Sequence, residues 1–266
     1  MMTKRSAGAL CGAMALGMLV GCNSPSSGGK IRYIGSSTIG KFIADAQQVY
    51  EGCQLTIWTE PESYGGEQAA LAGVADIGGV ARGVDPAIVR QGVVSTLIGK
   101  DAITVIVSSA NPVSDLSAEQ LKAVFTGRAK NWKELGGDDV PIRPFIVSGA
   151  SATRNIFRSV ALGTDNYAGC EVVEPDSKMI QVVAETKGAI GHISFAFLPA
   201  CNEVKPLRID GQEPSVWNPD YPITRPLYLC TLGRPQGDVK RFIEWVLSEA
   251  GQKLVRKRFV GVRSGS

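Results

Sequence analysis

From Ile31 onward, short apolar runs alternate with stretches whose apolar residues recur every three or four positions, so strands and helices take turns along the chain. Ile31 to Ile34 predicts a buried strand. Gly35-Ser36-Ser37-Thr38 follows, then a helix with Phe42, Ile43, Ala46 and Val49 on its inner face. Leu55 to Trp58 predicts a second strand, Glu67 to Ala72 a short helix, and Asp76 to Val80 a third strand. The β-branched run Ala102 to Val107 predicts a strand leading out of this first unit. A second unit starts near Asn111-Pro112, where Ser117 and Gln120 form a capping box ahead of the Leu121, Val124, Phe125 face. It continues with a strand at Ile142 to Val147, a loop at Ser148 to Ser151, and a helix carrying Ile156, Phe157 and Val160. A helix over Ser177 to Glu185 and a strand over Ala189 to Ser194 complete it. The chain closes with a strand at Leu227 to Cys230 and an amphipathic helix bearing Val239, Phe242, Ile243, Val246 and Leu247. The alternation predicts an α/β fold.

The N-terminus follows another pattern. Lys4 and Arg5 precede an uncharged apolar run from Ala7 to Val20, which has the length and flanks of a secretory signal rather than a membrane span. The run ends in Leu19-Val20-Gly21-Cys22, which resembles a bacterial lipobox. That resemblance implies cleavage before Cys22 and attachment of lipid to its sulfur. Residues 1–21 are thus expected to be a lipoprotein signal peptide and residues 22–29, rich in Ser and Gly, a flexible tether.

Removing residues 1–21 takes away two bases and no acid, leaving 26 Lys and Arg against 25 Asp and Glu, a net charge of +1. With no long basic run, nucleic acid is not an expected partner, and any affinity for anions must come from a local site. Outside the signal and the anchor, Cys53, Cys170, Cys201 and Cys230 remain, an even number suited to two disulfides with three possible pairings. One guess pairs Cys170 with Cys201 and Cys53 with Cys230. No two of the four are close in sequence and the only histidine, His192, is not spaced as their partner, so no metal site and no cofactor are expected.

Two segments share one chemical form, a strand followed by small hydroxylated residues and a helix: Gly35-Ser36-Ser37-Thr38 and Gly149-Ala150-Ser151-Ala152-Thr153-Arg154. A helix start offers unpaired N–H groups and partial positive charge, and Ser and Thr hydroxyls add donors, so each suits a tetrahedral anion. Each also suits ordinary helix capping. Their occurrence on two separate units points to a ligand clamped between them.

These segments, with Asp76-Ile77-Gly78 running to Arg82, Asn111-Pro112-Val113, Leu121 to Gly127 with Asn131-Trp132, Gly188 to Ser194, Tyr221-Pro222 with Arg225-Pro226-Leu227, and Phe242 to Gly251, resemble the phosphate-binding proteins of phosphate ABC importers from Ile31 to the C-terminus. The resemblance implies the type II periplasmic binding fold, two α/β lobes closing on a ligand cleft. Residues 30–104 and 205–266 would form one lobe and residues 105–204 the other. It implies contacts to phosphate from Ser37, Thr38 and the Ile39 amide, from Ser63, Tyr64 and Gly65 in a Gly- and Ser-rich loop, and from Arg82. From the second lobe it implies Ser151, the Ala152 amide, Thr153 and Arg154. Four positions depart from the family: Tyr64, Ala81, Ala152, and Val147 where many members carry an arginine. A lost arginine fork removes the strongest contact such a site can hold.

The expected function is therefore an exported, lipid-anchored, monomeric solute-binding protein that captures phosphate or a similar oxyanion for a membrane permease of an ABC importer. Sulfate, molybdate, tungstate or an organophosphate as ligand, or a sensor or adhesin role on the same fold, are the alternatives. A hydrolase is not expected, since His192 is the one imidazole and no Gly-x-Ser-x-Gly elbow occurs.

Overall fold

The computed structural model describes residues 29–198, 202–215, 217–218 and 220–262. The expected signal peptide, the lipid-bearing Cys22 and all but Gly29 of the tether lie outside the described residues. The first lobe runs β1 (Lys30–Gly35), α1 (Ser37–Gln47), β2 (Gln54–Trp58), α2 (Glu62–Leu71), β3 (Ile77–Val80) and α3 (Pro86–Arg90) into the long β4 (Val93–Ser108). The second holds β5 (Asp115–Leu116), α4 (Ala118–Phe125), β6 (Arg143–Val147), α5 (Ala152–Phe157), β7 (Glu171–Val173), α6 (Met179–Glu185), β8 (Ala189–Ser194), β9 (Val204–Pro206) and β10 (Arg208–Ile209). The chain returns along β11 (Thr224–Leu232) to α7 (Gly237–Leu247), α8 (Glu249–Val255) and β12 (Val260–Gly261).

One strand belongs to both lobes. The first part of β4, through Ala102, pairs antiparallel with β11, while Ile103 to Val107 pairs antiparallel with β8. The sheet order β2-β1-β3-β11-β4-β8-β6-β7 therefore passes from lobe to lobe through β4. The expected return at residue 205 differs from the structure: Val204–Pro206 still pairs with the second half of β4, and Tyr221 and Ile223 pack into the second core. The crossing lies at Thr224, because those apolar side chains have their burial partners in the second lobe.

Each lobe has its own core. Ile31, Phe42, Ile43, Leu229 and Phe242 anchor the first, and Leu121, Phe125, Trp132, Phe157 and Ile190 the second. The capping box at Ser117 and Gln120 is present. Helix α1 stops at Gln47, so Val49 lies exposed beyond it rather than on its inner face. Helix α2 starts at Glu62, five residues ahead of the expected Glu67, and takes in two glycines that read as loop. Gly66 is there for close approach: a Cβ on it would lie 2.7 Å from the Gly35 Cα and 2.7 Å from the Gly79 carbonyl oxygen.

The Cys53–Cys230 disulfide does not form; both are buried free thiols. Successive residues of β11 face opposite sides of the sheet, so Leu229 joins the core that holds Cys53 while Cys230 packs with Ala70, Val80 and Val93 on the other side. Cys170 is also a free thiol, 3.5 Å from the Phe125 and Ala168 carbonyl oxygens, and its expected partner Cys201 lies outside the described residues.

Candidate functional site

Both hydroxylated segments become helix starts that face each other across the lobe boundary. At α1 the N-cap is Ser36, whose hydroxyl accepts the Ile39 N–H at 3.5 Å; at α5 it is Ser151, accepting the Thr153 N–H at 3.3 Å. Neither helix carries an acid in its first turn, which leaves the positive end of each helix uncompensated by its own sequence. Thr38 and Thr153 occupy the same place, two residues past the cap, and both are buried.

Arg225 joins them. Its Nη2 donates to Thr38 Oγ1 at 2.8 Å and its Nη1 to Thr153 Oγ1 at 2.9 Å, so one guanidinium spans the two lobes. Its Nε donates to Asp101 Oδ2 at 2.9 Å. Asp101 lies directly opposite Arg225 in the β4–β11 register, and Ser194 Oγ donates to its other oxygen at 2.9 Å. Arg225 is 2% exposed and Asp101 fully buried, so this pair is stable only because each charge has the other and every arm of the fork is bonded. Burial pushes the Asp101 carboxyl up, while the guanidinium and the Ser194 hydroxyl pull it down.

Two more buried carboxylates reach the same place. Glu62 opens α2 with φ at +53°, a region glutamate rarely enters, and its Oε2 accepts the Ser37 N–H at 3.1 Å. Burial first, and the charge of Asp176 second, raise the Glu62 carboxyl to about 7. Asp176 accepts a 2.6 Å bond from Ser151 Oγ, and burial raises it too. The Ser37 hydroxyl is buried and makes no hydrogen bond of good geometry among the described residues, though it lies near enough to the Glu62 carboxyl to help pull it down. Ser37, Lys41, Glu62, Ser148 and Asp176 line a cavity of about 680 Å³ that opens from this cluster.

The residues expected at the site divide into two groups. Ser37, Thr38, Ser151, Ala152 and Thr153 converge here, with the Ile39 amide drawn to its own cap. Ser63, Tyr64 and Gly65 form the first turn of α2 instead of a loop. The Ser63 hydroxyl accepts the Ala81 N–H at 3.1 Å, the Gly65 N–H bonds the Pro61 carbonyl, and Tyr64 is 61% exposed. Arg82 turns onto the buried Glu67 with two bonds, at 3.1 and 2.5 Å, and onto the Gly83 carbonyl. Arg154 lies over the Tyr167 ring, 5.7 Å from its centroid. Val147 is buried in the core of the second lobe, and Arg225 brings a guanidinium to the cleft from the crossing strand.

Arg225, Asp101, Glu62 and Asp176 escaped the sequence reading as site residues. Arg225 and Asp101 did carry a signal: each is a charge inside an apolar strand, where charges are almost always paired. His192 packs face to face with Phe157 at 4.0 Å, and burial lowers its pKa to about 3, so it stays neutral. Asp76 is held in an ion pair with Arg32. No group of side chains fit to hold a metal ion occurs among the described residues.

The profile of the PBP superfamily domain matches residues 23–250. The chain is 31% identical over 250 residues to the phosphate-binding protein PstS of Bacillus subtilis, covering 88% of this chain and 82% of the relative. Among solved structures it is similar to a Clostridium perfringens protein described as a phosphate ABC transporter substrate-binding protein with bound phosphate. The two share 27% identity and a TM-score of 0.82, over 88% of this chain and all of that one. An ABC-type phosphate transport receptor from Vibrio cholerae, 25% identical, matches with a TM-score of 0.69 over 86% of this chain and 98% of that chain. The fold is that of the type II periplasmic binding proteins, and by sequence the chain belongs to the PBP superfamily and, within it, to the family of the phosphate-binding proteins PstS.

Proposed function

We propose that this protein captures inorganic phosphate between its lobes and delivers it to the permease of an ABC importer, working outside the cytoplasm as a monomer tethered by lipid on Cys22. The observation that carries the reading is the Arg225 bridge. It holds the Thr38 and Thr153 oxygens by their lone pairs, which leaves both hydroxyl hydrogens free to donate to a ligand. The Ser37 hydroxyl, which makes no hydrogen bond of good geometry, adds a third donor at the same helix start. Two helix N-termini, three hydroxyls and one guanidinium converge on a single point, the donor set a tetrahedral oxyanion needs. Similarity to proteins named for phosphate supports that ligand over other oxyanions.

The ligand-binding residues in this reading are Ser37, Thr38, the Ala152 amide, Thr153 and Arg225, while Ser151, expected among them, is spent on the Thr153 N–H and on Asp176. The β4 and β11 crossings act as the hinge, and Arg225, rooted on the hinge by Asp101, joins both lobes as they close. Nothing in this cluster calls for chemistry on the ligand: the nearest imidazole, His192, is fully buried, and its Nε2 faces the Tyr167 hydroxyl at 3.3 Å. Calorimetric titration of the anion-free protein tests the reading. Phosphate is expected to bind with micromolar or tighter affinity and sulfate, molybdate and tungstate far more weakly. Silence toward phosphate overturns it.

A further inference from the structure

The loop that leads into α5 borders two openings of opposite character. Ser148 lines the cavity over the cleft, where Glu60, Glu62, Glu174 and Asp176 face a single base, Lys41. The next residue, Gly149, lines a separate hollow of about 420 Å³ on the flank of α5, formed with Arg154, Asn155, Arg158, Asn166 and Tyr167 and lined by no acid. An anion approaching from solvent is repelled at the first opening and attracted at the second.

The two guanidiniums of the hollow are held by partners that leave their charge unspent. Arg154 and Arg158, one helical turn apart, share a face of α5 and the π-helical turn that continues it. Arg154 lies over the Tyr167 ring, and the Tyr167 hydroxyl donates to the Arg154 carbonyl at 3.0 Å, which ties the ring in place. Arg158 Nη1 donates to Asn166 Oδ1 at 3.3 Å. Asp165, the acid next to Asn166, is turned onto Lys122 at 3.1 Å. Neither arginine makes an ion pair among the described residues, whereas Arg82, Arg143 and Arg258 are each held by a carboxylate. A ring face and an amide oxygen orient a guanidinium without neutralising it. The hollow is also close to the cleft: after burial, the charges of Arg225 and Arg154 both lower the pKa of His192, so the cleft and flank arginines surround one side chain.

We propose that Arg154 and Arg158 form a second, outer oxyanion site, which receives phosphate from solvent and passes it across the 148–151 loop to the cleft. This inference rests on the phosphate reading and supplies its route of entry. The outer site takes small oxyanions as a class, because two arginines open to solvent respond to charge, while selection among oxyanions stays with the enclosed cleft. Its contribution is to the rate of capture: unspent charge beside a site raises the local anion concentration and the association rate, and salt screens that gain.

The test is stopped-flow fluorescence of the full chain mixed with phosphate, read from the tryptophans, of which Trp58 stands at the cleft rim with its Nε1 bonded to Glu60. Arg154 is half-buried and Arg158 exposed, and neither is bonded to a buried acid, so Arg154→Gln and Arg158→Gln keep the fold. In about 10 mM salt the double variant is expected to bind phosphate about five- to tenfold more slowly, with the dissociation rate changed by less than about twofold. In about 0.5 M salt, where screening acts within about 4 Å, the difference should disappear. Arg158→Glu should slow association further than Arg158→Gln. At matched ionic strength, sulfate should slow wild-type association more than chloride does, and the double variant should lose that extra slowing. Calorimetric affinities at the two salt concentrations give the same comparison without a fluorescence signal. An association rate that is unchanged in the double variant overturns the proposal. So does a loss that lies in the dissociation rate and survives high salt, which would make Arg154 a wall of the cleft itself. Slowing by sulfate that persists in the double variant also overturns it, since the competition then lies in the cleft. All three outcomes leave phosphate capture intact. If calorimetry shows that the wild type binds no phosphate at all, this proposal and the functional reading fall together.

Discussion

The half-sites on α1 and α5 are built alike and stabilised differently. Each has a serine N-cap and a buried threonine two residues on, and the two threonines take the two terminal nitrogens of one arginine. They part at the residue between. On α1 it is Ser37, whose N–H is bonded to Glu62 and whose hydroxyl makes no hydrogen bond of good geometry; on α5 it is Ala152, with nothing to offer but its amide. On α5 the cap itself is bound by an acid, since Ser151 both accepts the Thr153 N–H and donates to Asp176. One lobe therefore keeps a spare hydroxyl for a ligand while the other has its serine committed. The difference separates binding from architecture: a hydroxyl whose hydrogen is already donated, as at Ser151, holds the cleft together, and hydroxyls whose hydrogen is free, as at Ser37, Thr38 and Thr153, wait for a ligand.

The most damaging way to break this near-symmetry is through the residue that both halves share. Arg225→Lys keeps a positive charge against Asp101 but cannot reach both threonines, and phosphate affinity is expected to fall by about a hundredfold or more, read by calorimetry. Arg225→Ala leaves Asp101 buried and unpaired, so it should cost about 3–5 kcal/mol of folding stability in denaturant titrations. Next come the matched threonines. Thr38→Ala and Thr153→Ala should each weaken phosphate by about ten- to a hundredfold, and by similar amounts. Each also strips a partner from a buried Arg225 nitrogen, so both variants should melt earlier than the wild type. A large inequality between them would mean that the ligand sits in one lobe only.

Ser37→Ala sharpens the contrast with a smaller effect. It should weaken phosphate several-fold and change the melting temperature of the empty protein little, because the hydroxyl makes no internal hydrogen bond of good geometry and only a weak contact with Glu62 is lost. A last comparison is read in pH dependence rather than in affinity. Glu62, raised from 4.5 to about 7 in the folded protein, makes stability fall as pH rises through that window and then level off, since the folded state there holds more protons than the unfolded one. His192, lowered from 6.5 to about 3, acts in the opposite sense, removing stability as pH falls through that window. Melting curves of Glu62→Gln should lose the first slope and keep the second; curves parallel to the wild type would place the strain elsewhere.

The elements legible in the sequence were those set by local rules. The starts of α1 and α5 follow from their capping serines, and α4 from its capping box. Features set by distant neighbours were not legible. β4 reads as the β-branched run Ala102 to Val107 because its earlier part, Val93 to Asp101, mixes apolar and polar residues with no strand period, yet it extends for 16. Glycines in α2 read as loop until the backbones of β1 and β3 are placed against them. The site's arginine came from Arg225, 187 residues away from Thr38, and no local spacing links the two. The same holds for Glu62 and Asp176, whose meaning appears only when the lobes face each other.

The central claim is that the ligand sits where Arg225 joins the two helix starts, and a crystal structure of the phosphate complex tests it most directly. The account predicts an anion within hydrogen-bonding reach of Ser37, Thr38, Thr153 and Arg225, with an oxygen toward Glu62 or Asp176. Phosphate held instead by Arg82 and Tyr64, or by Arg154 and Arg158 on the flank of α5, would contradict it.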